Sequence, residues 1–207
     1  MKSTLIRKRT ANYNEQHHAI LTQAAKLFAQ RGYSATSVNE IAQACGLSKP
    51  ALYHYMRDKY DLLVNICAGH VERLEALVEA VAKRQLAPQE QLCELIRCFV
   101  EAYADGQDAH RVLIADAKFL HEIDRTRVFD SERRIVTAFA KTITDLYPHL
   151  AAQQLSKPLT MLLFGMINWM FTWLKPDGAL SYQTMAPLVT QLFFGGLTAV
   201  SGAPSKT

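Results

Sequence analysis

The chain has 207 residues, 49% hydrophobic and 20% charged, which allows a sizeable buried core at an ordinary surface charge. Nine glycines and seven prolines are too few for a turn-rich all-β chain, and Lys2, Arg7, Lys8 and Arg9 precede polar residues, which reads against a secretory leader and for the cytoplasm. Residues 1–60 carry nine Lys and Arg against three Asp and Glu, whereas the rest carries fourteen against sixteen, so the positive first quarter suits a polyanion.

In chain order, residues 1–13 read as a mobile basic arm, whose Arg7, Lys8 and Arg9 would enter a flanking minor groove or simply attract the duplex. A first helix is expected from Asn14 to Arg31, with Ile20, Ala24, Leu27 and Phe28 on one face and Gly32 as its stop. Ser37 and Glu40 form an S-x-x-E capping box that opens a second helix. Gly46 supplies a tight turn, and Ser48 caps a third helix with Pro50 in its first turn. Asp58 caps a long fourth helix over 59–83. Further helices are expected at 89–104, 108–122, 126–147, 156–174 and 181–200, broken at Asp105-Gly106, Asp124, Pro148, Pro176-Asp177-Gly178 and Gly202. The fold class is therefore all-α, with about nine helices. The apolar segment 159–174 contains Gly165 and Asn168 and falls short of the about 20 residues a membrane span needs, so its cover should be the protein's own core and a second subunit.

Cys45, Cys67, Cys93 and Cys98 have no metal-type spacing; the last two lie roughly 140° apart on a helix and read as reduced thiols. No G-x-S-x-G, phosphate-binding loop or H-E-x-x-H is present, so the chain does not read as an enzyme and implies no cofactor. His110 and His121 share a face if their helix is unbroken, with Asp124 nearby, but two histidines are a thin basis for a metal site and none is assigned.

Two short capped helices back to back suggest a helix-turn-helix, with Ala42 at the crossing, Val38 and Ile41 facing the first helix, and Leu47 and Leu52 as anchors. The outer face of the second short helix, Lys49, Tyr53 and His54, lacks an apolar stripe, which favours DNA over burial in a bundle. The stretch "ILTQAAKLFAQRGYSATSVNEIAQACGLSKPALYHYMRDKYDLL", residues 20–63, resembles the DNA-binding head of the TetR family of bacterial transcriptional regulators. The likeness rests on A-x-x-L-F, the G-Y turn, T-S-V-x-x-I-A, G-L-S and the L-Y…K…L-L run; Met56 departs from the family's usual phenylalanine, a place an adaptable thioether can fill.

The resemblance implies an N-terminal arm and DNA-binding domain over 1–57 and an effector-binding and dimerisation domain over 58–207. It lays the helix opened by Ser48 in the major groove with its N-terminus near the bases, Lys49 on a guanine edge or a phosphate and Pro50 and Ala51 on a thymine methyl, and puts Thr36, Ser37, Tyr53, His54 and Lys59 on phosphates. It pairs 156–174 and 181–200 with their symmetry mates, through Gly165, Leu188, Leu192, Phe193 and Gly196, into a homodimer reading palindromic half-sites about 34 Å apart. The stretch 164–181 is also similar to family members that respond to coenzyme A thioesters, with Phe99, Tyr103, Phe139, Phe164, Asn168, Trp169 and Trp173 as candidates for an acyl or aromatic group. Arg133, with Arg125, Arg127 and Arg134, would meet the nucleotide. The rival effector is a smaller lipophilic or aromatic compound sensed by an efflux or stress regulator, and the rival class is a helical protein-interaction module without DNA binding. The fourth helix, starting at the head and running on into the body, would be the lever by which ligand relieves repression.

Overall fold

The computed structural model describes the backbone of residues 2–174 and 178–201 and the side chains of residues 12–174 and 178–200. Every regular element among them is helical: α1 (Lys2–Arg31), α2 (Val38–Ala44), α3 (Lys49–Leu52), α4 (Lys59–Lys83), α5 (Pro88–Asp105), α6 (Gln107–Asp116), α7 (Glu122–Leu146), α8 (Pro148–Ala152), α9 (Ser156–Asn168) and α10 (Tyr182–Ser201), with 3-10 turns at Ala117–Phe119 and Met170–Thr172. No helix among the described residues is long and apolar enough to cross a membrane.

The all-α expectation holds, with four local differences. Residues 2–13 continue α1 instead of forming a separate arm, because no glycine or proline interrupts the chain before Gly32; the side chains of Arg7, Lys8 and Arg9 lie outside the described residues. The expected helix over 108–122 stops at Asp116, and the chain passes through its 3-10 turn to an extended Leu120 before α7 starts. Pro148 both ends one helix and, at the first position of α8, starts another, since a missing N–H costs nothing there. The helix over 156–174 ends at Asn168. Of its expected downstream breakers, Pro176, Asp177 and Gly202 lie outside the described residues.

Two compact units divide the chain, the first reaching to His70 and adding Asp108–Val128, the second combining Val71–Gln107 with the residues from Phe129 on. In the first, Ile20, Phe28, Ile41, Leu52, Leu62 and Leu63 are fully or almost fully buried. These are apolar faces of four helices too short or too amphipathic to stand alone, and burial of such side chains contributes about 1.5–3 kcal/mol each. In the second, α5 lies along α10, and Leu95, Phe99, Phe139, Leu163 and Phe193 share one apolar core. Phe193 is only 5% exposed, so it belongs to this core and not to the subunit face expected of it.

Candidate nucleic-acid interface and effector body

The bihelical unit is built by its caps. Ser37 Oγ accepts the Glu40 N–H at 3.2 Å and Glu40 Oε2 accepts the Ser37 N–H at 2.8 Å, so two orphan donors of α2 are satisfied reciprocally. The Ser37 backbone donor, first among several contacts, holds the Glu40 carboxyl below its ordinary pKa, and Arg31 adds an ion pair at 2.6 Å. Gly46 then adopts φ +65°, the left-handed turn that a side chain would strain, and the Leu47 N–H reaches back to the Ala42 carbonyl at 2.9 Å. Ser48 Oγ accepts the Ala51 N–H at 3.3 Å and opens α3.

Around α3 the inner and outer faces separate cleanly. Leu52 and Met56 are buried beneath it, whereas Ser48, Lys49, Pro50, Tyr53 and His54 are exposed and Ala51 is half-buried. The Lys49 ammonium makes no hydrogen bond or ion pair with any described residue, so it is available to an acceptor from outside the chain. Ser37 is exposed at the N-terminus of α2, with its hydroxyl bonded to Glu40. Sequence reasoning passed over Arg57, whose side chain is 83% exposed beside this face and shares Asp61 with the start of α4.

Two residues expected on phosphates are turned inward. Thr36 is 1% exposed and its hydroxyl donates to the Gly32 carbonyl at 2.9 Å. The Lys59 ammonium donates to the carbonyls of Tyr33 at 2.8 Å and Thr36 at 2.9 Å while lying 4.4 Å from the centre of the Tyr33 ring. Both tie down the connection between α1 and α2, whose bare carbonyls need donors.

The segment Asp108–Val128 fastens to the same unit. Asp116 Oδ2 accepts the Tyr33 N–H at 3.1 Å, and burial raises the Asp116 pKa. The Tyr60 hydroxyl donates to Asp124 Oδ2 at 2.6 Å, accepts the His121 N–H at 2.9 Å, and its ring stacks on His121 at 4.0 Å. His110 does not share a helix face with His121, because the helix breaks between them; its Nδ1 lies 3.2 Å from Nε2 of buried His70. No group of three or more metal-ligating side chains occurs among the described residues.

In the second unit the aromatic candidates split. Phe99, Phe139 and Phe164 pack together with centroids 4.9 to 6.0 Å apart, Tyr103 joins them at 6.0 Å from Phe99, and burial pushes its phenol above the ordinary range. Asn168 Oδ1 is buried with no hydrogen-bond partner among the described residues, an acceptor waiting for a donor. Trp169 and Trp173, by contrast, are 62% and 51% exposed. Arg133 is likewise outside, paired with Asp130 on an open groove of about 520 Å³ that Arg134, Thr137 and Lys141 also border.

The exposed face of α9 and α10 is apolar at helical spacing: Met161, Leu162 and Gly165 on α9, with Trp169 just past its end, and Leu188, Leu192, Gly195 and Gly196 on α10. A Cβ added at Gly165, Gly195 or Gly196 would meet nothing within 4 Å, so nothing inside the protomer requires glycine there.

A capped bihelical unit with a small, exposed, cationic and aromatic second helix, set in an all-α chain, defines a helix-turn-helix protein. Residues 20–66 match the family model described as bacterial regulatory proteins, tetR family, and residues 85–197 match the model described as tetracyclin repressor-like, C-terminal domain. The chain belongs to the TetR family. A TetR-family transcriptional regulator from Bordetella parapertussis 12822 is 35% identical and superposes with a TM-score of 0.80 over 86% of this chain and 93% of that one. The structure of AibR in complex with isovaleryl coenzyme A and operator DNA is 25% identical, with a TM-score of 0.72 over 86% of this chain and 97% of that one. The transcriptional repressor KstR2 of Mycobacterium tuberculosis is 24% identical over 89% of this chain and 94% of its own. Two other curated regulators, from Bacillus subtilis and Aromatoleum, are matched over only 36% and 56% of their length.

Proposed function

We propose that the chain is a homodimeric, ligand-responsive repressor that works in the cytoplasm, on a palindromic DNA operator. The observation that carries this reading is the outer face of α3, where Lys49, Pro50, Tyr53 and His54 are exposed over a fully buried Leu52. A short helix of this kind enters the major groove with its N-terminus near the bases, and Ser48 and Ala51 belong to the same approach. Ser37 contributes at the edge, through the N–H groups that open α2. Gly165, Leu188, Leu192 and Gly196, with the exposed Trp169, supply the apolar face on which two copies associate.

The effector in this reading is a coenzyme A thioester of a fatty or aromatic acid. Support comes from the likeness to AibR, a protein solved with isovaleryl coenzyme A, from the buried aromatic group Phe99, Tyr103, Phe139 and Phe164, and from the buried, unpartnered Asn168 oxygen in the same unit. The dense packing of those rings equally favours a smaller lipophilic or aromatic compound, which is the second reading. Ligand acts by preferring the state whose heads do not fit the operator, a coupling of about 1–3 kcal/mol in proteins of this kind, with α4 as the element common to both units.

The experiment is a gel shift with a duplex the protein selects from a random-sequence pool, titrated with short-, medium- and aryl-acyl coenzyme A and with the free acids. Release by a thioester at micromolar concentration is the expected result. Release only by free aromatic compounds replaces the effector, and failure to enrich any duplex overturns the regulator reading.

A further inference from the structure

We propose that Glu132, half-buried on α7 one turn after Phe129, is an effector contact whose carboxylate accepts a hydrogen bond from an N–H group borne by an apolar or aromatic ligand. The inference rests on the ligand-responsive reading above and deepens it. Among the described residues of the second unit, five acidic side chains are half-buried, and four of them are paired. Glu75 pairs with Arg134, Glu94 and Glu101 with Arg97, and Asp130 with Arg133. Glu132 makes no hydrogen bond or ion pair with any described residue. The two cations that follow it in the chain, Arg133 and Arg134, are thus engaged elsewhere.

A fully exposed carboxylate needs no partner in the chain, because water supplies one. Glu132 is not in that position, since burial raises its pKa. Its charge reaches the Tyr103 phenol, whose own pKa is raised first by burial and then by Glu132. Tyr103 is 5% exposed and meets Phe99 edge-on, so Glu132 sets a charge beside the aromatic core. Phe129, on the same helix face one turn earlier, is 42% exposed and offers a ring to whatever approaches the carboxylate. A half-buried charge without a partner costs stability unless something outside the chain satisfies it. A matching ligand carries a donor for the carboxylate and apolar surface for Phe129. Two sources supply that chemistry. One is the amide N–H groups of the arm that joins an acyl group to coenzyme A; the other is the ammonium of a lipophilic amine, which an aromatic ring also attracts.

The test is calorimetric binding to the full chain, without DNA, of hexanoyl pantetheine, phenylbutylamine and phenylbutyl methyl ether, which keeps an apolar part and has no donor. An N–H probe should bind more tightly than the ether, and Glu132→Leu should weaken that probe about tenfold or more while leaving the ether unchanged. Glu132→Gln separates the sources: it keeps an acceptor for an amide and loses the charge that holds an ammonium. Because the carboxylate is unpaired, Glu132→Leu should melt no lower than wild type, whereas loss of a group that holds the fold would lower the midpoint. No preference for the N–H probes over the ether overturns the inference. So does wild-type affinity for them in Glu132→Leu, or a lowered midpoint. Operator release by a thioester that persists unchanged in Glu132→Leu removes this contact and leaves the regulator reading standing; failure to enrich any duplex removes the regulator reading and not the binding result.

Discussion

Lys49 and Leu52 stand three residues apart on a four-residue helix and answer to different physics. Leu52→Ala should destabilise the first unit by about 2–5 kcal/mol, read by urea unfolding, because a fully buried branched side chain leaves a cavity. Lys49→Ala should leave the unfolding midpoint in place and weaken DNA binding by about 1–3 kcal/mol; a loss confined to certain bases marks a guanine contact, and a uniform loss with a smaller salt slope marks a phosphate. In the second unit, Arg97 and then Arg84 hold the Glu94 carboxyl down at about 2. A carboxyl whose folded pKa is lowered stabilises above its ordinary value and loses that contribution as pH falls through the folded one. Glu94→Gln should therefore melt below wild type at pH 7, with the gap closing from about pH 4.5 down to about pH 2.

At the scale of elements, the caps were plain in the residues and the fastenings were not. Ser37 with Glu40, Gly46, and Ser48 with Pro50 each carry a local physical signature, and each forms the expected cap or turn. Ser37→Ala should cost about 0.5–2 kcal/mol of stability on chemical denaturation. The break after Asp116 had no such signature, since neither glycine nor proline marks it; its geometry comes from Tyr33 and Tyr60, distant in sequence. Tyr60→Phe removes a hydroxyl that donates to Asp124 and accepts from His121, and should destabilise the first unit by about 1–3 kcal/mol, with faster amide exchange at His121 as the specific sign. Thr36 and Lys59 illustrate the same limit: a threonine and a lysine beside a helix-turn-helix look like phosphate donors until the fold shows which carbonyls they satisfy.

For the whole molecule, the test is association. Leu192 is 69% exposed and Phe193, its neighbour in the chain, 5%. Leu192→Lys should leave folding intact, shift the protein towards monomer in sedimentation, and weaken operator binding with it, since two linked heads bind far more tightly than one. Phe193→Ala should instead cost about 3–5 kcal/mol of fold stability. A monomeric wild type would remove the paired-head reading of the operator.

Local chemistry in the sequence was sufficient to specify the helical class, the capped turn and the basic outward face, because caps, a left-handed glycine and apolar periodicity act within a few residues. The tertiary structure alone decided that Phe193 is core, that Trp169 and Trp173 are surface, that Asp108–Val128 joins the N-terminal unit, and that Tyr13 stands on Tyr55. Each of these depends on partners tens of residues away, where the same side chain is core, latch or contact according to what the fold sets against it.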